Sequence, residues 1–269
     1  MISSTISGIK CAVFALIGLV LIGIASADRP ASAPKEITVA CASNMIYAME
    51  GIVTEFQKRH STVSVRMSYG SSGNFFSQIS NRAPFDLFFS ADTIYPQKVC
   101  DAGLCLDGDQ KIYATGRLVL WALSGSSISV ERLGIQSLSD TAIRHIALAN
   151  PKVAPYGRAA DEALRHFGIH GAVKDKLVFG EDISQTTQFV QSGSAEVGFL
   201  AMGVALSPVL SGKGRFWPIP AGAHSPLDHG VVIMKWCKDK SAAKAFRSFV
   251  LGAGGRKILR QFGFGLPVK

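Results

Sequence analysis

The stretch Ile37-Thr38-Val39-Ala40-Cys41-Ala42-Ser43-Asn44 decides the fold. Its first six residues form a short apolar run of β character, Ser43-Asn44 ends it, and Met45, Met49, Ile52, Val53 and Phe56 follow at helical spacing. A strand, a polar loop and an amphipathic helix in that order make one unit of a parallel sheet covered by helices. The unit recurs downstream. Val63 to Met67 leads through Ser68-Tyr69-Gly70-Ser71-Ser72-Gly73-Asn74 to a short helix carrying Phe75, Phe76 and Ile79, and Phe85 to Ser90 leads to a helix from about Ile94 to Ala102.

The second half runs through the same grammar. His145 to Ala149 is a predicted strand, Asn150 to Gly157 a loop with two prolines, and Ala160, Ala163, Leu164 and Phe167 mark a helix that stops at Gly168. Lys176 to Phe179 and the loop Gly180-Glu181-Asp182-Ile183-Ser184 precede a helix presenting Thr186, Phe189 and Val190 on one side. Ser192 to Leu200 sits where Ser80 to Phe88 sits in the first half, an internal echo that suggests two lobes built alike. Two apolar runs fit inside neither lobe: Tyr113 to Leu123, read as one strand, and His229 to Trp236, with helical stretches at 241–251 and 255–262 after it. The simplest topology crosses between lobes near residue 116 and returns near residue 226. The expected domains are therefore lobe I, residues 28–116 with 226–269, and lobe II, residues 117–225. Two crossings make a hinge, and hinged lobes close on a ligand.

Upstream, Lys10, the uncharged apolar run Cys11 to Ile24 and Ala25-Ser26-Ala27 have the form of a cleavable signal peptide over residues 1–27, rather than a membrane anchor, whose apolar span would need about 20 residues. Cleavage after Ala27 leaves about 242 residues with a net charge of +8, and places them in the periplasm. In an oxidising compartment Cys100 and Cys105, flanking a turn at Gly103, are expected to pair. Cys41 and Cys237 read as buried free thiols.

Of the whole chain, 48% is hydrophobic and only 17% charged, which excludes a disordered chain. The 28 Lys and Arg against 19 Asp and Glu are scattered, with no basic stripe interleaved with aromatics, so nucleic acid is not an expected partner. His166 and His170 have a spacing that could hold a metal, but Gly168 between them makes surface or capping roles the expectation.

Ligands of open α/β sheets bind beyond the carboxyl ends of the strands, where helix N-termini offer unpaired N–H groups. Four loops there carry small neutral donors: Ser43-Asn44, Ser71-Ser72-Gly73, Tyr156-Gly157 and Ile183-Ser184, two from each half. Such a set suits an anion enclosed away from water, although Ser and Asn before a helix are also ordinary N-caps. Ser43 or Ser72 as a nucleophile would need a base, and neither loop contains His, nor is there a Gly-x-Ser-x-Gly elbow. A binding module is expected, with a periplasmic enzyme on a phosphate- or sulfate-like substrate as the rival.

From Ile37 onward the chain resembles the periplasmic molybdate-binding proteins (ModA) of ABC importers. The resemblance is carried by residues 37–44, Gly70-Ser71-Ser72-Gly73, Ala83-Pro84-Phe85-Asp86-Leu87-Phe88-Phe89-Ser90-Ala91-Asp92, Asn150 to Gly157, Glu181 to Ser184 and the terminal Gly263 to Pro267. It implies a two-lobed α/β periplasmic binding protein of type II with a ligand cleft between lobes, and no enzymatic activity or cofactor. The implied ligand is molybdate or tungstate, with another tetrahedral oxyanion such as sulfate or phosphate as the alternative; the implied partner is a membrane permease, and the implied state a monomer. The implied ligand set is Ser43, Asn44, Ser72, Tyr156 and the backbone N–H of Ile183. In one branch of the family the tyrosine lies in the Ala-Pro-Tyr-Gly loop, as Tyr156 does here. Another branch supplies it from the segment occupied here by Phe199-Leu200-Ala201, so Ala201 is left out of the site. No Lys or Arg falls in a contact position, and Arg158 is expected to face solvent.

Overall fold

The computed structural model describes residues 35–267, with 107 and 109 excepted; the expected signal peptide lies outside the described residues. The chain forms two five-stranded mixed sheets flanked by helices. In the first, β1 (Lys35–Ala42) lies parallel to β2 (Val63–Gly70) and to β3 (Leu87–Phe89). The helices α1 (Ile46–Arg59), α2 (Ser72–Ser80) and α3 (Ile94–Asp101) follow these strands. Beyond β3 come β10 (Asp228–Ile233), antiparallel, and then β4 (Lys111–Thr115), for an order β2-β1-β3-β10-β4.

The second sheet repeats the plan. Its parallel strands are β6 (Ile146–Ala149), β7 (Leu177–Gly180) and β8 (Val197–Ala201); β5 (Leu118–Leu123) runs antiparallel to β8 and to the edge strand β9 (Gly214–Pro218). Its order is β7-β6-β8-β5-β9. The echoing segments thus supply the third strand, β3 or β8, of matching sheets. Each sheet completes itself with a strand that joins the lobes, β10 in one and β5 in the other. The helices here are the short α4 (Val130–Leu133), α5 (Pro155–His166), the short α6 (His170–Val173), α7 (Ile183–Gln191) and the short α8 (Met202–Ala205). After β10, α9 (Lys240–Leu251) and α10 (Ala253–Gln261) return to the first sheet. No helix among the described residues is long and apolar enough to cross a membrane.

Alternation explains why the first sheet is covered on both faces. Ile37, Val39 and Cys41 point into a core with Met49, Ile52 and Phe56 of α1 and Ala243, Phe246 and Val250 of α9. Ala40, Phe88 and Val232 point the other way, onto Phe75 and Ile79 of α2 and Val99 of α3. Fully burying an aliphatic or Phe side chain contributes about 1.5–3 kcal/mol, so this two-faced core supplies much of the lobe's stability.

One local reading changes, one strand is new, and the two spaced histidines fall on separate helices. The run 113–123 is two strands, because at Gly116-Arg117 the chain leaves one sheet for the other; there the Gly116 N–H donates to Leu227 O at 2.8 Å, so outgoing and returning segments lie side by side. The strand β9 had no sequence signal, since Gly-Arg-Phe-Trp-Pro lacks a clean alternation and becomes a strand by pairing with β5. Helix α5 ends at His166 and His170 opens α6, so the two histidines do not share one helix; His170 Nε2 instead lies 3.0 Å from Asp161. The cysteine expectations hold: Cys100 and Cys105 are bonded, and Cys41 and Cys237 are buried free thiols.

Candidate ligand-binding cleft

Every loop that carried small neutral donors in the sequence ends at one cleft. Ser43, Asn44, Ser72, Tyr156 and Ile183 all line the same small cavity, and each is nearly or fully buried. The sheets dictate this convergence, because the carboxyl ends of β1, β2, β6 and β7 face one another across the lobes.

Neighbouring residues take the capping duty and leave the candidate donors free for it. Ser71, not Ser72, caps α2 by accepting from Asn74 N at 3.4 Å, and Asp182, not Ile183, caps α7 by accepting from Gln185 N at 3.0 Å. Ser72 and Ile183 therefore open their helices at positions whose N–H groups have no partner within the helix. Pro155 opens α5, where its missing N–H is no loss, and Tyr156 follows in the first turn. The two serine oxygens each accept a backbone N–H: Ser43 Oγ from Ser184 at 3.3 Å and Ser72 Oγ from Ala91 at 3.1 Å. Each hydroxyl proton is then left to donate.

The remaining two donors are orphans. Asn44 Nδ2 and the Tyr156 hydroxyl are buried without a partner at good hydrogen-bond geometry, although the Asn44 amide and the Arg117 backbone N–H lie near the phenol oxygen. Burial raises the Tyr156 pKa well above its ordinary value, while the Asn44 amide and the Arg117 backbone pull the other way. The phenol therefore keeps its proton at neutral pH and acts as a donor. Leaving such groups unsatisfied costs about 1–3 kcal/mol each, so a buried pair aimed at one cavity points to an acceptor that completes them. Among the described residues no group of His, Cys, Asp and Glu could hold a metal ion, and the donor set is one for anions.

Polar contacts close the lobes over the cleft. Gly73 N–H donates to Val153 O at 2.8 Å, Asn74 Nδ2 to Glu181 Oε1 at 2.6 Å, and the Tyr95 hydroxyl to Lys152 O at 3.4 Å. An ion pair between the lobes corrects an expectation. Arg158 does not face solvent; its guanidinium reaches across to Asp92 at 2.8 Å, and Asp92 is itself held by the Ser90 hydroxyl at 3.0 Å and the Tyr95 N–H at 3.2 Å. Asp92 is 4% exposed and Arg158 32%, so the buried carboxylate takes its counter-charge, among the described residues, from the other lobe. The pair went unrecognised because its halves lie far apart in the chain. One signal was available, since an Arg in the first turn of a helix opposes the helix dipole unless a carboxylate meets it. Ala201, at the end of β8, lies outside the cleft lining.

Two hinged α/β lobes closing on buried neutral donors define an extracellular solute-binding protein, and the family model for "Bacterial extracellular solute-binding protein" matches residues 37–265. A molybdate-binding protein ModA of Azotobacter vinelandii is 35% identical over 86% of this chain and 90% of its own, and one of Rhodobacter capsulatus is 35% identical over 87% and 89%. The solved Azotobacter vinelandii periplasmic molybdate-binding protein superposes with a TM-score of 0.81 at 32% identity, covering 86% of this chain and all of that one. The chain belongs to the ModA molybdate-binding protein family.

Proposed function

We propose that this protein captures molybdate, and tungstate with it, in the interlobe cleft and delivers it from the periplasm to the permease of an ABC importer. The observation that carries the reading is the pair of buried, unpartnered donors, Asn44 Nδ2 and Tyr156 OH, converging with the Ser43 and Ser72 hydroxyls on one cavity. The Ile183 N–H at the start of α7 completes the set. A tetrahedral dianion can be buried only if its oxygens receive hydrogen bonds, and bonds to a charged partner contribute about 1.5–3 kcal/mol each. The tyrosine comes from the Ala-Pro-Tyr-Gly segment, residues 154–157, at the start of α5. The lobes are residues 28–116 with 226–269, and 117–225; residues 1–27 are a signal peptide cleaved after Ala27; and the exported chain works as a monomer that binds its ligand without chemical change or cofactor.

Molybdate and tungstate at about 100 times their dissociation constants are expected to stabilise residues 28–269 by about 2.7 kcal/mol, visible as a raised melting temperature, with little shift from sulfate or phosphate. Equal stabilisation by sulfate would overturn the molybdate reading, and turnover of a phosphate ester would favour an enzyme.

The Arg158–Asp92 bridge makes closure part of affinity. Asp92→Asn is expected to weaken molybdate binding about tenfold through faster release, with the association rate little changed, because truncating one partner of a buried pair acts on dissociation. Stopped-flow fluorescence separates the two rates; an unchanged release rate would remove the bridge from the closing mechanism.

A further inference from the structure

His229 is fully buried at the start of β10, beside the returning interlobe crossing, and neither of its ring nitrogens has a hydrogen-bond partner. An unsatisfied buried imidazole is costly and calls for a reason. The strand is irregular at this point, with a register shift between His229 and Gly230 of the kind that re-aims side chains beside functional sites. Three rings surround the imidazole: Tyr113 at 5.5 Å, Phe264 at 5.5 Å and Tyr156 at 6.0 Å between centroids. The Phe264 ring offers no polar atom, and the Tyr113 hydroxyl already donates to Ser90 O at 3.2 Å. The Tyr156 hydroxyl is the polar group still incomplete. Gly116 keeps the space between them open: a Cβ there would strike the Tyr156 hydroxyl and lie 2.9 Å from His229 Nε2.

We propose that His229 is a positioning residue for Tyr156: as the Nε2–H tautomer it donates through one bridging water to the phenol oxygen, and so turns the phenol proton toward the bound anion. A hydroxyl has one proton, and an acceptor behind Tyr156 would compete with the anion for it, whereas a donor behind it leaves the proton to the ligand. Desolvation lowers the His229 pKa to about 3, which keeps the ring neutral and leaves it the choice of tautomer that this role needs. The inference rests on the placing of Tyr156 in the binding site.

The test is a double-mutant cycle read by calorimetric titration with molybdate. His229→Leu is expected to weaken binding about tenfold in the wild-type background, and less than about twofold once Tyr156→Phe has removed the hydroxyl. His229→Gln, whose amide N–H falls near the Nε2 position, is expected to restore most of the affinity. Equal losses in both backgrounds would show a merely structural role and overturn the proposal, as would no loss in the wild type. If Tyr156→Phe alone leaves affinity unchanged, the placing of Tyr156 fails and this inference falls with it. On the unmutated chain, nitrogen NMR of labelled histidine is expected to show His229 protonated at Nε2 when molybdate is bound; protonation at Nδ1 overturns the proposal even if the variants do not fold.

Discussion

Gly157→Ala is expected to damage folding and binding together. A Cβ at this position would overlap the Ala149 carbonyl oxygen and lie 2.6 Å from the Ala149 carbonyl carbon and 2.9 Å from that of Asn150. These are backbone atoms at the end of β6, so no side chain can swing aside. Helix α5 would have to back away from the strand it follows. Overpacking of this kind costs about 1–3 kcal/mol or somewhat more, and near the upper end it lowers the melting temperature by roughly 6–12 °C in a chain of this size. The same movement carries Tyr156 and Arg158, on either side of Gly157, out of register with the other lobe. Molybdate affinity is therefore expected to fall at least about tenfold, an effect a remote destabilising change does not produce while the chain stays folded. A thermal melt and a titration on the same preparation check it; a melting temperature within about 1 °C of wild type would show that β6 and α5 are less closely packed than described.

Tyr156→Phe has the opposite profile, with affinity lost and the fold kept. The hydroxyl has no hydrogen-bond partner in the folded chain, so removing it leaves ligand-free stability unchanged or slightly higher. A hydrogen bond to an anion contributes about 1.5–3 kcal/mol, and binding is expected to weaken about 10- to 150-fold. Because burial raises the phenol pKa above its ordinary value, the donor form persists as pH rises through neutrality. The Tyr156 contribution is then flat between about pH 6 and 9, below the ordinary tyrosine pKa. Calorimetric titration at the two ends of that range reads both statements. Unchanged affinity would remove Tyr156 from the site, and a contribution that vanishes by pH 9 would mean a phenol able to ionise.

The parts of this fold legible in sequence are those that local pattern determines. Ile37 to Ala42 with the helical spacing after it gives β1 and α1, and the echo of 80–88 in 192–200 gives β3 and β8 matching places in two sheets. The four donor-bearing segments were legible for the same reason, since each lies where a strand passes into a helix and the sheet topology carries such places to one side, while the choice of five residues within them came from the family resemblance. The unreadable parts depend on partners remote in sequence. Strand β9 owes its form to β5, the break at Gly116 to the Leu227 carbonyl beside it, and the inward turn of Arg158 to a buried carboxylate 66 residues away. His229 passed as one histidine among six, because its lack of partners is a property of the folded interior.

The excess positive charge takes its meaning from the cleft. A chain at +9 invites the idea that Lys and Arg hold an anion, yet the cleft lining contains neither, and Arg158 nearby is already paired with Asp92. The donors are hydroxyls, an amide and backbone N–H groups. Neutral donors of fixed geometry suit a dianion by shape and hydrogen-bond count, and such a site leaves the surplus charge to the surface.

The central claim, that this neutral-donor cleft is the oxyanion site, is tested most directly by a crystal structure of residues 28–269 grown with tungstate and read by anomalous scattering from the metal. The expected result is a single strong peak inside the cleft, with its oxygens within hydrogen-bond distance of Ser43 Oγ, Asn44 Nδ2, Ser72 Oγ, the Tyr156 hydroxyl and the Ile183 N–H. A peak on the surface against Lys or Arg side chains, or a closed cleft with no peak at full ligand occupancy in solution, would contradict it.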